Sequence, residues 1–141
     1  MNEAFTSIEQ KAILTTAVDN SSSQGYSKWN TRGGNNTQDK IFLLSCGEAY
    51  KYLVVTWEDS NNIKSRTSPT AYAVQAGAQT SDSNKTADDK AAGWWWLRSP
   101  GYYQSGAASV LDSGSLLGGY VINDGGCVRP ALWVNLDSGI F

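Results

Sequence analysis

Residues 94–134 read WWWLRSPGYYQSGAASVLDSGSLLGGYVINDGGCVRPALWV. The middle of this stretch, Gly101–Cys127, holds seven of the chain's fourteen glycines and three tyrosines, and no lysine, arginine or glutamate. Stiff aromatic segments stand on both sides, WWWLRSP before and VRPALWV after. A strand sends alternate side chains to opposite faces. Ala108, Val110, Leu116 or Leu117, and Val121 are therefore expected to point inward, and the Ser, Asp, Gly, Tyr and Asn between them to point out or to make turns. Glycine inside a strand weakens it and marks bends or close approach. The segment is thus expected to be held by the Trp-rich strand before it and the Val128–Val134 strand after it, which leaves its outward residues without structural duty. Tyr, Ser, Gly and Asn make adaptable binding surfaces. A plain glycine-serine meander without a ligand has the same composition.

Outward from this stretch, Trp94–Ser99, Ala108–Leu111, Ser115–Leu117, Tyr120–Asn123 and Val128–Val134 predict short strands separated by Gly or Asp. Trp95 and Trp96 point to opposite faces if extended, so at least one belongs to the core. Trp94 is placed at the edge, where a ligand would stack. The N-terminal half carries the helix signals. Thr6 with Glu9 forms a capping box, followed by the apolar face Ile8, Ala12, Ile13. Asp19–Asn36 reads as a long surface loop pinned by Tyr26 and Trp29. Ile41–Leu44 suits a buried strand. Ser45 with Glu48 makes a second capping box and predicts a short helix ending near Leu53. Ser68 as cap with Pro69 in the first position predicts a third helix over Pro69–Ala76. Gly77–Gly93 lacks large apolar residues and is expected to be a mobile loop. Helices first and strands last favour an α+β domain with an antiparallel sheet, and 141 residues suit a single domain.

Hydrophobic residues make up 40% and charged residues 17% of the chain. Six tryptophans and seven tyrosines make up the shortfall, so the core is expected to be aromatic. The net charge of −2 comes without a basic stripe, which excludes nucleic acid as the expected partner. No apolar run is long enough to span a bilayer and no signal peptide opens the sequence, so no membrane insertion is expected. The absence of histidine removes Ser-His-Asp and Cys-His catalysis and His-ligated metals. Cys46 and Cys127 are too few for a disulfide scaffold or a structural zinc site and read as small buried hydrophobes, with their pairing left open. No cofactor and no metal are expected. The oxygen-rich Trp57–Asn62 reads as a solvated turn without EF-hand spacing. Asp112 and Asp124 have the chemistry of a glycosidase pair, but both stand in turn-like segments. Arg98 and Arg129 flank the soft segment; stacking and pairing that lock loops is the favoured role, anion binding the other.

Three motifs in order, DKIFLLSCGEAYKYL (Asp39–Leu53), WWLRSPG (Trp95–Gly101) and VRPALWVNL (Val128–Leu136), resemble a bacterial domain family of gut Firmicutes and their phages, DUF6273. The match covers about Asp39–Leu136, and Cys127 stands where that family commonly has glycine. The family is similar to the C-type-lectin-like fold shared by formylglycine-generating-enzyme-like domains and the variable proteins of diversity-generating retroelements. The resemblance implies an α+β fold of that kind, with early helices, a small, mainly antiparallel sheet and long loops. In those variable proteins template adenines are mutated, mostly at Asn codons, so C-terminal surface residues differ between copies. Such codons cannot yield Met, Trp, Lys, Gln or Glu, and in Tyr102–Cys127 only Gln104 belongs to that set. The implied variable, ligand-binding residues are Tyr102, Tyr103, Ser105, Ser109, Leu111, Asp112, Ser113, Ser115, Leu116, Tyr120, Asn123 and Asp124. Trp95, Trp96, Leu97, Arg98, Pro100, Arg129, Pro130 and Trp133 match the constant scaffold.

The function so implied is a non-enzymatic display domain that binds a protein or a cell-surface glycan. Its expected setting is the cell surface, the medium or a virion, within a longer protein. The alternatives are a structural module without a dedicated ligand, and a formylglycine-generating-enzyme-like enzyme. The latter needs a close pair of reactive cysteines, whereas Cys46 and Cys127 are far apart in sequence.

Overall fold

The computed structural model describes residues 4–22 and 29–139; Tyr26, expected to pin the first long loop, lies outside them. In chain order the elements are α1 (Ser7–Ala12), β1 (Thr16–Val18), β2 (Thr37–Asp39), β3 (Phe42–Leu43), α2 (Cys46–Leu53) and α3 (Ala71–Gln75). There follow β4 (Thr80–Lys85), β5 (Ala91–Gly93), β6 (Trp95–Pro100), β7 (Gly106–Val110), β8 (Leu116–Tyr120), β9 (Pro130–Ala131) and a 3-10 turn at Leu136–Ser138. The result is a small mixed α+β domain with short helices and small antiparallel sheets.

The two capping boxes start α1 and α2 as their spacing predicts, each Thr or Ser hydroxyl accepting from the backbone N–H of its glutamate. The third helix differs. Its cap is Thr70, whose hydroxyl accepts from Ala73 N–H at 3.2 Å, so the helix starts two residues beyond the expected Pro69. Gly77–Gly93 is not a loop throughout. It carries the hairpin of β4 and β5, with Thr80 opposite Gly93 and Ser81 opposite Ala92. Thr86 closes it: its hydroxyl accepts from Lys90 N–H at 3.1 Å, and its own N–H donates to Lys90 O at 2.9 Å. Backbone pairing, not apolar alternation, makes this ribbon.

The central sheet has the order β6-β7-β8, all antiparallel, with a register shift in β6 between Trp96 and Pro100. Its inner face supplies Trp95, Leu97, Ala108, Val110 and Leu116 to the core, where they meet Trp29, Cys46, Ala49 and Val55. Trp95 is fully buried; its Nε1–H donates to Ser65 O at 3.3 Å and the Arg129 guanidinium lies 4.9 Å from its ring centre. Trp29 meets Trp57 edge to face at 4.6 Å, so the core is aromatic as its composition requires. The β7–β8 turn needs glycine at Gly114, where φ is +92° and a β-carbon would stand 2.2 Å from Asn62 O.

The last segment is a seam rather than one strand. Cys127 bridges Trp95 in parallel, β9 pairs with β3, and Val134 bridges Ile13. The expected strand Tyr120–Asn123 is also replaced. β8 ends at Tyr120, and Asn123 N–H returns to Tyr120 O at 3.0 Å to close a turn. Val121, expected inside, is therefore exposed, and Ile122 with it. Among the described residues no helix is long and apolar enough to cross a membrane.

Candidate functional site

The outer face of the central sheet builds the site. Ser109 on β7 lies between Trp96 on β6 and Leu117 on β8, on the side opposite the core residues Ala108 and Val110. The chain after β8 folds back over this face and is tied down by backbone bonds. Cys127 N–H donates to Trp94 O at 2.9 Å, Trp96 N–H to Cys127 O at 3.0 Å, and Gln79 N–H to Gly125 O at 3.0 Å. Cys127 sits outside the left-handed region, so no glycine is required there.

A cleft of about 420 Å³ remains between this returning chain and the sheet. Trp94, Gln79, Asn123, Asp124 and Gly125 form its walls, and Ser109, Leu111, Leu117 and Gly119 its floor. Trp94 Nε1–H donates to Gln79 Oε1 at 3.2 Å, which fixes the indole as a wall. Among the described residues the lining thus offers an indole, amides, one carboxylate and no base. Chemically it suits a ligand that is neutral or positive, with a face to lay on an aromatic ring.

A second patch lies at the far end of β7 and β8 and shares Gly119 with the cleft, but Gly118 and Tyr120 stand on the side of the sheet that carries Ala108 and Leu116. Tyr102, Tyr103 and Tyr120 surround a hollow of about 90 Å³ floored by Gly106, Gly118 and Gly119. The three rings are 62%, 59% and 56% exposed, and Tyr102 meets Tyr103 edge to face at 4.8 Å. Thr31 Oγ1–H donates to Tyr102 O at 3.0 Å and so anchors the backbone beneath them.

The residues expected to face a ligand divide between these two patches and the far turn. Tyr102, Tyr103, Ser105, Tyr120, Asn123 and Asp124 face water, and Leu111 is half-buried in the cleft. Asp112 and Ser113 belong to the β7–β8 turn: Asp112 accepts from Asn84 Nδ2 at 2.8 Å, and Ser113 O from Arg66 Nε at 3.1 Å. Three positions are corrected. Leu116 is a core residue, because its place in the β7–β8 register turns it inward beside Val110. Ser115 is buried in the turn, its hydroxyl 3.0 Å from that of Ser113. Ser109 is buried too, its hydroxyl bonded to Leu117 O at 3.3 Å, and reaches the cleft only as floor. Asp112 and Asp124 do not share a cleft, since Asp124 alone of the two lines it.

Gln79, Leu117, Gly119 and Gly125 join the site without any sequence signal that marks them for it. Gln79 arrives from the β4–β5 side through its bond to Gly125, a pairing that no local pattern announces.

The flanking arginines are locked in structure rather than free to bind an anion. Arg98 pairs with Glu48, donates to Leu43 O at 2.7 Å and to Asp19 O at 3.3 Å, and lies over Phe42. Arg129 stacks on Trp95 and reaches Ser65 O at 3.4 Å. Burial favours the neutral form of Glu48, but hydrogen bonds from Arg98 and the Ser45 backbone outweigh it and hold the carboxyl below its ordinary value. Cys46 and Cys127 are free thiols, and burial raises both, Cys46 to about 11.

Fold and site together define a small α+β module whose central sheet is core on one face and an open, aromatic and polar surface on the other. The chain belongs to the family described as domain of unknown function (DUF6273), which matches residues 1–136. No curated protein and no solved structure matches it.

Proposed function

We propose that the chain is a ligand-binding display domain of C-type-lectin-like fold, the variable protein of a diversity-generating retroelement. It takes a protein or a cell-surface glycan on the outer residues of its C-terminal segment. The fold assignment is supported by the early helices, the small antiparallel sheets and the long connections between them. One observation carries the binding role. Tyr102, Tyr103 and Tyr120 are all more than half exposed, while the same stretch of chain buries Ala108, Val110 and Leu116. Rigid amphipathic rings held in water by a scaffold that does not need them are anchors for a partner, since aromatic residues dominate binding surfaces. The proposal includes no catalytic step: the chain has no histidine, and Asp112 and Asp124 do not converge.

Sequencing several copies of the gene with their neighbouring DNA tests this role. Variation confined to Asn-derived codons at Tyr102, Tyr103, Ser105, Leu111, Tyr120, Asn123 and Asp124, beside a near-copy repeat and a reverse transcriptase, is the expected result. Uniform silent drift across the gene contradicts it.

A further inference from the structure

We infer that the cleft beside Trp94 receives an arginine side chain of a protein partner, its guanidinium laid on the indole and bonded to Asp124. The inference rests on the display role and names the partner chemistry of that same surface. Among the described residues, Asp124 is the only charged group in the lining, and no lysine or arginine lines the cleft. The ion pairs among the described residues are Lys85–Asp82, Lys90–Asp88 and Arg98–Glu48, none of which engages Asp124. The whole of Gly101–Cys127 carries no basic residue. An anion entering here meets a carboxylate and no counter-charge. A cation meets a carboxylate and an aromatic ring at once, and both attract it.

Geometry favours guanidinium over ammonium. A planar guanidinium stacks on an aromatic face while its edge donates to a carboxylate, which a compact ammonium cannot do as well. Gln79 and Asn123 add amide oxygens for the remaining N–H groups, although Gln79 Oε1 already accepts from Trp94. The Gln79 side chain packs over Gly125, and the Asn123 amide stands by Gly119, so both amides are held at the cleft. The cleft volume of about 420 Å³ falls within the range of sites that bury a small ligand.

Two-dimensional NMR of the indole N–H groups tests the inference, with the Trp94 signal assigned by Trp94→Phe. Acetyl-arginine amide is titrated in parallel with acetyl-citrulline amide, a neutral analogue of nearly the same shape, and with methyl glucoside. Expected is a saturable shift of the Trp94 signal with the arginine probe. It should be weaker by about tenfold or more with the citrulline probe and in Asp124→Asn, as for loss of a charge-assisted hydrogen bond. Asp124 is exposed, so this variant should fold as the parent does. Equal response to the two amides, an unchanged response in Asp124→Asn, or silence toward the arginine probe overturns the inference. A shift with methyl glucoside alone overturns it too, but leaves the display role standing with a glycan ligand. The display role itself fails separately, on uniform drift across gene copies.

Discussion

Gly126 lies so close to Trp94 that a β-carbon there would stand 2.4 Å from the indole ring, and 2.6 Å from Trp96 Nε1. The wall of the cleft and the chain that closes over the sheet are therefore fitted to each other without room for a methyl group. Gly126→Ala must displace one ring or the backbone. Overpacking of this kind costs about 1–3 kcal/mol, so a lower urea midpoint and a moved Trp94 indole resonance are expected. Gly34→Ala, with no described residue within 4 Å of its β-carbon, is the control and should change little. A Gly126→Ala protein as stable as the parent, with Trp94 unmoved, contradicts the packing described.

Leu116 and Leu117 are adjacent, yet one is core and the other 42% exposed. Leu116→Ala should cost about 2–5 kcal/mol, as for other buried leucines. Leu117→Ala should cost about 1 kcal/mol or less, because the side chain loses little buried area. Chemical denaturation of the two variants checks the difference. The reverse order would mean that the register of β8 is shifted by one residue.

Acid should weaken the link between α2 and β6. Burial pushes the Glu48 carboxyl up, but Arg98 and the Ser45 backbone together hold it below its ordinary value. A carboxylate whose folded value is depressed contributes stability above its unfolded value, near pH 4.3, and loses it as pH falls through the folded value. Stability should therefore drop on acidification below about pH 4.5, and the drop should be shallower in Glu48→Gln, which keeps a capping acceptor but not the charge. Denaturant midpoints from pH 7 to pH 3 give the comparison. Parallel acid limbs for the two proteins would remove Glu48 from this role.

Local signals in the chain were legible and non-local ones were not. The Thr6–Glu9 and Ser45–Glu48 boxes work over one helical turn, so spacing alone located both helices. Alternation along β6 is equally local: it requires Trp95 and Trp96 to face opposite ways, and the structure buries Trp95 with Leu97. β4 reads TSDSNK and has no apolar face; it exists because β5 pairs with it, which the residues themselves do not announce. The faces of the soft segment were half legible. Val110 and Ala108 follow from alternation, but whether Leu116 or Leu117 turns inward depends on the turn at Gly114, and Val121 came out because β8 stops one residue before it. Within the site, the tyrosines, Asn123 and Asp124 were visible as outward residues. The cleft that Asn123 and Asp124 share with Gln79 and Trp94 was not, since it depends on a bond between residues 79 and 125.

Stability that resides in the inner face of the central sheet, with recognition on exposed residues outside that core, has a direct measure. Tyr102→Ala, Tyr103→Ala, Tyr120→Ala and Asp124→Ala are combined in one protein and its urea unfolding is compared with that of the parent. All four residues are exposed, and exposed positions away from packing features shift stability by about 0.5 kcal/mol or less each. A cooperative transition within about 2 kcal/mol of the parent is predicted. A loss of several kcal/mol, or of cooperativity, would show that these side chains hold the fold together and would contradict the division between scaffold and display.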